Sequence, residues 1–314
     1  DWIKPLRAGA DTTGAVNIPA AGKYYVHLED DGNNAGAPEL YTLELRFEPG
    51  DAFEPNGSLG LASKVNRDGE FYGSILPTGD LDWYTLDVPR RGALHVEITK
   101  VPDNIDAVFR VYDANVNAIT GWFAPLRAGA DNIAVVDLPV AGCYYLHIED
   151  AKNDARNAAE YHVKLHYEPG DNFEPNGAPG EASKIDATTQ LFASILPKGD
   201  HDWYVFEVDH PGIVNLKIGN APANQDLTFR VYDRERAAIT GWMAPLSPGA
   251  ENEAVIDLPI TGRYYIELAD GKDDERSSQE YSLQLKYARA DSFEMNCSFG
   301  RAAGIGIGQA VQGS

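Results

Sequence analysis

The chain has 314 residues, with 48 acidic against 26 basic side chains and a formal net charge of −22. That acid excess argues against nucleic-acid binding, which draws on basic patches, and suits a chain that collects divalent cations. No apolar run reaches the roughly 18 residues that a membrane-spanning helix needs, so no membrane span is expected in this segment.

The chain is periodic. Asp51-Ala-Phe-Glu-Pro-Asn-Gly57 returns as Asp171-Asn-Phe-Glu-Pro-Asn-Gly177 and as Asp291-Ser-Phe-Glu-Met-Asn-Cys297, which sets Phe53, Phe173 and Phe293 at a fixed interval of 120 residues. A constant period decides architecture before any single residue does. Asp1-Trp-Ile-Lys-Pro-Leu-Arg-Ala-Gly-Ala-Asp11 matches Gly121-Trp-Phe-Ala-Pro-Leu-Arg-Ala-Gly-Ala-Asp131. Residues 1–50 are thus expected to be the C-terminal half of a repeat. Residues 51–170 and 171–290 are two complete repeats, and 291–314 the N-terminal start of a further one. Both ends are expected either to be cut within a domain or to be completed by neighbouring chains. A unit of about 120 residues can bury a core of its own. Cys143 and Cys297 fall at different places of different repeats, so no disulfide framework is expected.

Within a unit the apolar residues alternate. In chain order, Tyr84, Leu86 and Val88 share one strand face, then Leu94, Val96 and Ile98, then Tyr144, Leu146 and Ile148, then Tyr161, Val163, Leu165 and Tyr167. The next unit repeats this with Tyr204, Phe206 and Val208, with Leu227, Phe229 and Val231, with Tyr264, Ile266 and Leu268, and with Tyr281, Leu283 and Leu285. Period two marks strands with one buried face. Turn residues separate them, as in Pro77-Thr-Gly-Asp80, Pro89-Arg-Arg-Gly92 and Pro139-Val-Ala-Gly142. Only Leu59–Lys64 and Pro179–Lys184 read as short helices. The prediction is an all-β chain of tandem antiparallel β-sandwich domains.

Two recurrent pairs carry chemistry. Glu54 and Asn56 stand two apart, as do Asp80 and Asp82, so in extended chain each pair points one way. Four oxygen-bearing side chains can make a hard-cation site, since Ca²⁺ takes about six to eight oxygens. The alternative is turn and hairpin capping without metal. Trp2, Trp122 and Trp242 recur, as do Trp83 and Trp203 on an outward strand position. Exposed aromatics here either stack on sugars or collagen-like chains or seal successive repeats. A second acidic group, Glu29, Asp30 and Asp31, then Glu149, Asp150 and Asp154, then Asp270, Asp273 and Asp274, shifts between copies and reads as a solvated loop. His162 and His166 share a strand face but do not recur, so no zinc site is expected. Nothing recurrent pairs a nucleophile with a base, and the chain is expected to be non-catalytic.

The order Phe-Glu-Pro-Asn, Gly79-Asp-Leu-Asp-Trp-Tyr84, Phe109-Arg-Val-Tyr-Asp113, Ala141-Gly-Cys-Tyr-Tyr-Leu146 and Tyr161 resembles the bacterial pre-peptidase C-terminal domain. That family is a jelly-roll-like β-sandwich related to the collagen-binding domains of secreted collagenases. The second copy carries Gly199-Asp-His-Asp-Trp-Tyr204, Phe229-Arg-Val-Tyr-Asp233 and Thr261-Gly-Arg-Tyr-Tyr-Ile266. The resemblance implies Ca²⁺ held by Glu54, Asn56, Asp80 and Asp82, and again by Glu174, Asn176, Asp200 and Asp202. Asp51 and Asp171 are extra candidate ligands, and Glu294 and Asn296 would open a third site.

An extracellular or cell-surface location is the expectation. One functional reading is a calcium-stabilised stalk, filament or surface layer, whose partners are neighbouring copies head to tail or further repeats of the same chain. The other is a tandem module that binds glycan or a collagen-like ligand with avidity from repetition.

Overall fold

A computed structural model of the chain describes residues 3–16, 18, 21–291, 300 and 302–311. Sixteen strands lie among the described residues. The first eight are β1 (Ser63–Lys64), β2 (Gly69–Gly73), β3 (Leu81–Val88), β4 (Gly92–Thr99), β5 (Ala107–Tyr112), β6 (Asn132–Leu138), β7 (Gly142–Asp150) and β8 (Tyr161–Pro169). The second eight are β9 (Ser183–Lys184), β10 (Thr188–Ala193), β11 (His201–Val208), β12 (Gly212–Gly219), β13 (Leu227–Tyr232), β14 (Asn252–Leu258), β15 (Gly262–Asp270) and β16 (Tyr281–Arg289). Each set forms two four-stranded sheets, in the orders β1-β3-β7-β5 and β2-β8-β4-β6, then β9-β11-β15-β13 and β10-β16-β12-β14. The chain is all-β, a tandem of β-sandwiches.

By its contacts the chain divides into two compact units. One comprises Asp1–Leu86, Val96–Ala134 and Tyr144–Leu165; the other comprises Asp87–His95, Val135–Cys143 and His166–Ser314. The strand turn that carries Arg90 and Arg91 therefore belongs to the second unit.

In the first unit the alternation places Tyr84, Val96, Ile98, Leu146, Ile148, Tyr161 and Val163 out of solvent. β5 pairs antiparallel with β7, with Val111 opposite Leu146, and β2 pairs antiparallel with β8, with Phe71 opposite Val163.

In the second unit one cluster unites Tyr204, Phe206, Leu216, Ile218, Phe229, Ile256, Ile266, Tyr281 and Leu283. β12 lies between β14 and β16, with Leu216 opposite both Ala254 and Leu285. Burial of these side chains at about 25 cal/mol per Å² of apolar surface holds the sheets together.

The short helices expected at 59–64 and 179–184 are not formed as read. Leu59–Leu61 is a single 3-10 turn, and Ser63–Lys64 and Ser183–Lys184 are instead two-residue strands parallel to β3 and β11. A Ser hydroxyl explains the preference: Ser63 Oγ and Ser183 Oγ donate to the carbonyls of Phe53 and Phe173 at 3.1 and 3.0 Å. These bonds hold the chain extended beside the Phe-Glu-Pro-Asn segment.

Residues 1–50, read as the C-terminal half of a repeat, carry no strand among their described residues. Tyr25 is 83% and Leu40 98% exposed. The corresponding strands β14, β15 and β16 pair with β10 to β13, and residues 1–50 contain no counterpart of those partners.

Candidate metal centre

The site in the first unit is built where the Phe-Glu-Pro-Asn segment meets the start of β3. Trp83 N donates to Asn56 O at 3.1 Å, which fixes the segment against the strand. Asp51 sets the approach: its two carboxylate oxygens accept the backbone N–H groups of Phe53 at 2.8 Å and Ser74 at 2.6 Å. Asp51 thus positions the segment through two backbone bonds. Asp80 is held likewise, accepting Leu76 N at 2.9 Å and Leu81 N at 3.0 Å.

Glu54, Asp80 and Asp82 each direct a carboxylate oxygen into one space, all within 4.8 Å of one another. Asp82 and Asn56 are fully buried. Asp82 Oδ2 accepts the Tyr161 hydroxyl at 2.5 Å, and Tyr161 meets Tyr84 Oη at 3.0 Å. Glu54 Oε1, Asp82 Oδ1 and both amide atoms of Asn56 are buried without a hydrogen-bond partner of normal geometry. A buried unpaired polar group costs about 1–3 kcal/mol, and buried polar groups otherwise nearly always find a partner.

The site in the second unit repeats this in detail. Glu174, Asp200 and Asp202 converge within the same 4.8 Å. Asp171 accepts Phe173 N at 2.8 Å and Ser194 N at 2.7 Å, and Tyr281 Oη donates to Asp202 Oδ2. Glu174 Oε1, Asp200 Oδ1, Asp202 Oδ1 and both amide atoms of Asn176 lack partners of normal geometry.

The carboxyls are electrostatically frustrated. Burial, reinforced by the charges of Glu54 and Asp51, pushes Asp80 up to about 7 against the backbone donors that favour its anion. Burial and the adjacent Asp80 hold Asp82 well above the usual carboxylate range. Burial pushes Asp200 up to about 8 even though Arg91 opposes it, and holds Asp202 well above the usual carboxylate range, with Asp200 adding to the effect. Glu174 and Asp171 are raised by burial too. Oxygen donors of this number and density fit a hard divalent cation, which would satisfy the unpaired lone pairs and cancel the repulsion at once.

The aromatics divide. Trp83 stacks on His147 at 4.1 Å between ring centres, and Trp203 is buried against Tyr232 at 5.1 Å. Both therefore differ from the exposed outward positions expected of them, because neighbouring rings on the same sheet face cover them. Trp122 and Trp242 do remain 42% and 46% exposed. Each immediately precedes a residue that bridges back to a strand, Phe123 to Phe109 on β5 and Met243 to Phe229 on β13. Asn132 and Asn252 tie that stretch down by donating to Phe123 O and Met243 O at 2.9 and 2.8 Å. Trp2, Glu294, Asn296 and Cys297 lie outside the described residues; Cys143 is half-buried on β7.

The second acidic group is only in part the solvated loop expected: Asp154, Asp273 and Asp274 are exposed, but other members are not. Asp150 and Asp270 are buried, and each accepts backbone N–H groups from two segments. Asp150 takes Asp106 N at 2.9 Å and Asp154 N at 3.1 Å; Asp270 takes Asp226 N at 3.0 Å and Asp274 N at 3.1 Å. These carboxylates staple loops.

Sequence reasoning missed the Tyr161 and Tyr281 hydroxyls, which recur with the period but read only as core positions. It missed Arg91 because its counterpart one period on is Pro211.

No protein-family model matches the chain, and no curated protein matches it. Solved structures do resemble it. The pre-peptidase C-terminal domain of a collagenase from Bacillus anthracis aligns over 35% of this chain and 100% of its own, at 18% identity and a TM-score of 0.29. The CUB1-EGF-CUB2 region of human MASP-1/3 aligns over 69% and 99%, at 11% identity and 0.23. The secreted serine protease VesC from Vibrio cholerae aligns over 66% of this chain and 50% of its own, at 16% identity and 0.25.

Proposed function

We propose that the chain is a non-catalytic, extracellular array of pre-peptidase C-terminal-type β-sandwiches, stabilised by one Ca²⁺ in each complete repeat and serving as a stalk, filament or surface layer. One observation carries the metal: two equivalent constellations each bury an Asn amide and at least two carboxylate oxygens without partners of normal geometry in a space ringed by acid. Within a repeat the ion would be held by Glu54, Asn56, Asp80 and Asp82, or by Glu174, Asn176, Asp200 and Asp202. It would join the Phe-Glu-Pro-Asn segment to β3 or β11. Periodicity and acidity support the structural role, since repetition of one module extends a chain without requiring a new fold.

Thermal melting in excess Ca²⁺ and in chelator tests the reading. A ligand at about a hundred times its dissociation constant adds roughly 2.7 kcal/mol per site, and extracellular calcium modules bind at about 0.1–1 mM. Millimolar Ca²⁺ is expected to raise Tm, and Asp82→Asn with Asp202→Asn to abolish the rise. An unchanged Tm in the wild-type protein would contradict it.

Trp122 and Trp242 favour a second reading, as matched exposed rings on the two repeats. A flat aromatic offered twice suits a glycan or a collagen-like ligand. Binding on a glycan or collagen array that is lost in Trp122→Ala with Trp242→Ala would select it. End-to-end polymers seen by electron microscopy, unaffected by those changes, would select the structural role.

A further inference from the structure

The two acidic constellations share donors but not surroundings. In the second unit the Arg91 guanidinium enters the site: Nη1 lies 2.7 Å from Asp200 Oδ1 and 3.6 Å from Glu174 Oε2. Arg91 is largely buried there, with its side chain only 16% exposed. A methyl group on Gly177 would meet Nη1 at 2.7 Å, so the bare backbone of that residue leaves room for the guanidinium. Arg90 braces the same segment, donating to Asp171 O at 2.6 Å and to Asn172 Oδ1 at 3.0 Å. Around Glu54, Asp80 and Asp82, no ion pair from Lys or Arg is found among the described residues. Arg90-Arg91 becomes His210-Pro211 one period later, so the second complete repeat does not carry the pair.

The contact is charge against charge. Asp200 Oδ1 has no hydrogen-bond partner of proper angle despite its 2.7 Å approach to Nη1. Asp202 Oδ1, Glu174 Oε1 and both Asn176 amide atoms are also unengaged. Arg91 thus neutralises part of the site's charge without satisfying its oxygens, and the donors a cation needs stay in place.

We infer that Arg91 is a resident counter-ion that makes the second site a weak, displaceable cation site and leaves the first as the strong one. This rests on the calcium reading above. For a cation to enter the second site the guanidinium must withdraw, and its charge opposes entry until it does. The first site meets no such opposition. At intermediate Ca²⁺ the first unit is loaded while the second remains closed by its own arginine, so the chain responds to Ca²⁺ in two steps.

Calorimetric Ca²⁺ titration of the full chain tests this. The wild-type protein is expected to show two affinities separated by about tenfold or more. With the first site silenced by Asp82→Asn, Arg91→Met is expected to tighten the remaining site by at least about tenfold. Arg91→Lys, which keeps the charge, is expected to stay within about threefold. If Arg91→Met unfolds in chelator, recovery of its β-sheet circular dichroism on adding Ca²⁺ is the expected result, and failure to recover overturns the inference. Equal affinities in the wild type, or Ca²⁺ binding unmoved by Arg91→Met, would overturn the arginine's role while sparing the calcium reading. No binding to any variant at about 10 mM Ca²⁺ would overturn both.

Discussion

Without a bound metal, this protein should have an unusual pH dependence. Asp80, pushed by burial from 3.8 to about 7, holds its proton more tightly folded than unfolded. Stability from that difference is fully present below the unfolded value near 4 and is lost as pH rises through about 7. Asp200 extends the window to about 8. A tenfold change in proton affinity is worth about 1.4 kcal/mol. Asp80 therefore represents up to about 4 kcal/mol, or about 2 kcal/mol once solvent screening is allowed for. His147 works the other way: burial lowers it to about 4, so its contribution is lost as pH falls from about 6.5. The comparison of wild type with Asp80→Asn isolates the carboxylate. Asn surrenders one of the two backbone bonds that Asp80 accepts, a cost of about 1 kcal/mol at every pH. Between pH 5 and pH 8 in chelator, stability should nevertheless move by about 2 kcal/mol in favour of Asp80→Asn, roughly 8 °C in Tm for a domain of this size. Differential scanning calorimetry at four pH values reads it. A constant gap, or one that moves toward the wild type, would refute the placement of Asp80 among buried like charges.

Other perturbations probe the frame of the site. Tyr281→Phe removes the hydroxyl that donates to Asp202 and meets Tyr204 Oη at 2.7 Å; urea unfolding should show a loss of about 1–3 kcal/mol, and no loss would mean that Asp202 needs no such donor. Gly212→Ala sets a methyl group 2.2 Å from Ala288 O on the neighbouring strand. The backbone there cannot yield as a side chain would, so overpacking should cost about 1–3 kcal/mol in the same assay; an unchanged midpoint would contradict the close approach of β12 and β16.

The period and the alternation make the sandwiches legible in the sequence alone. Tyr204, Phe206 and Val208 face inward because a pleated strand allows nothing else. Glu54, Asp80 and Asp82, with their copies, converge as two-residue spacing suggests. What alternation could not reveal is what covers an outward residue. Trp83 and Trp203 are capped by His147 and Tyr232, which lie on other strands. Nor does spacing distinguish a solvated aspartate from Asp150 or Asp270, which accept backbone donors both from their own loop and from a segment 44 residues away. Arg91 escaped for the opposite reason: recurrence was the guide, and Arg91 occurs once.

Crystals grown in millimolar Ca²⁺, with anomalous data collected at long wavelength, bear most directly on the proposed metal centre. An anomalous peak is expected among Glu54, Asn56, Asp80 and Asp82, with oxygens at about 2.3–2.6 Å from it. A site holding only water, with the Asn56 amide turned to bond the carboxylates, would contradict calcium and leave these residues as the caps of a turn.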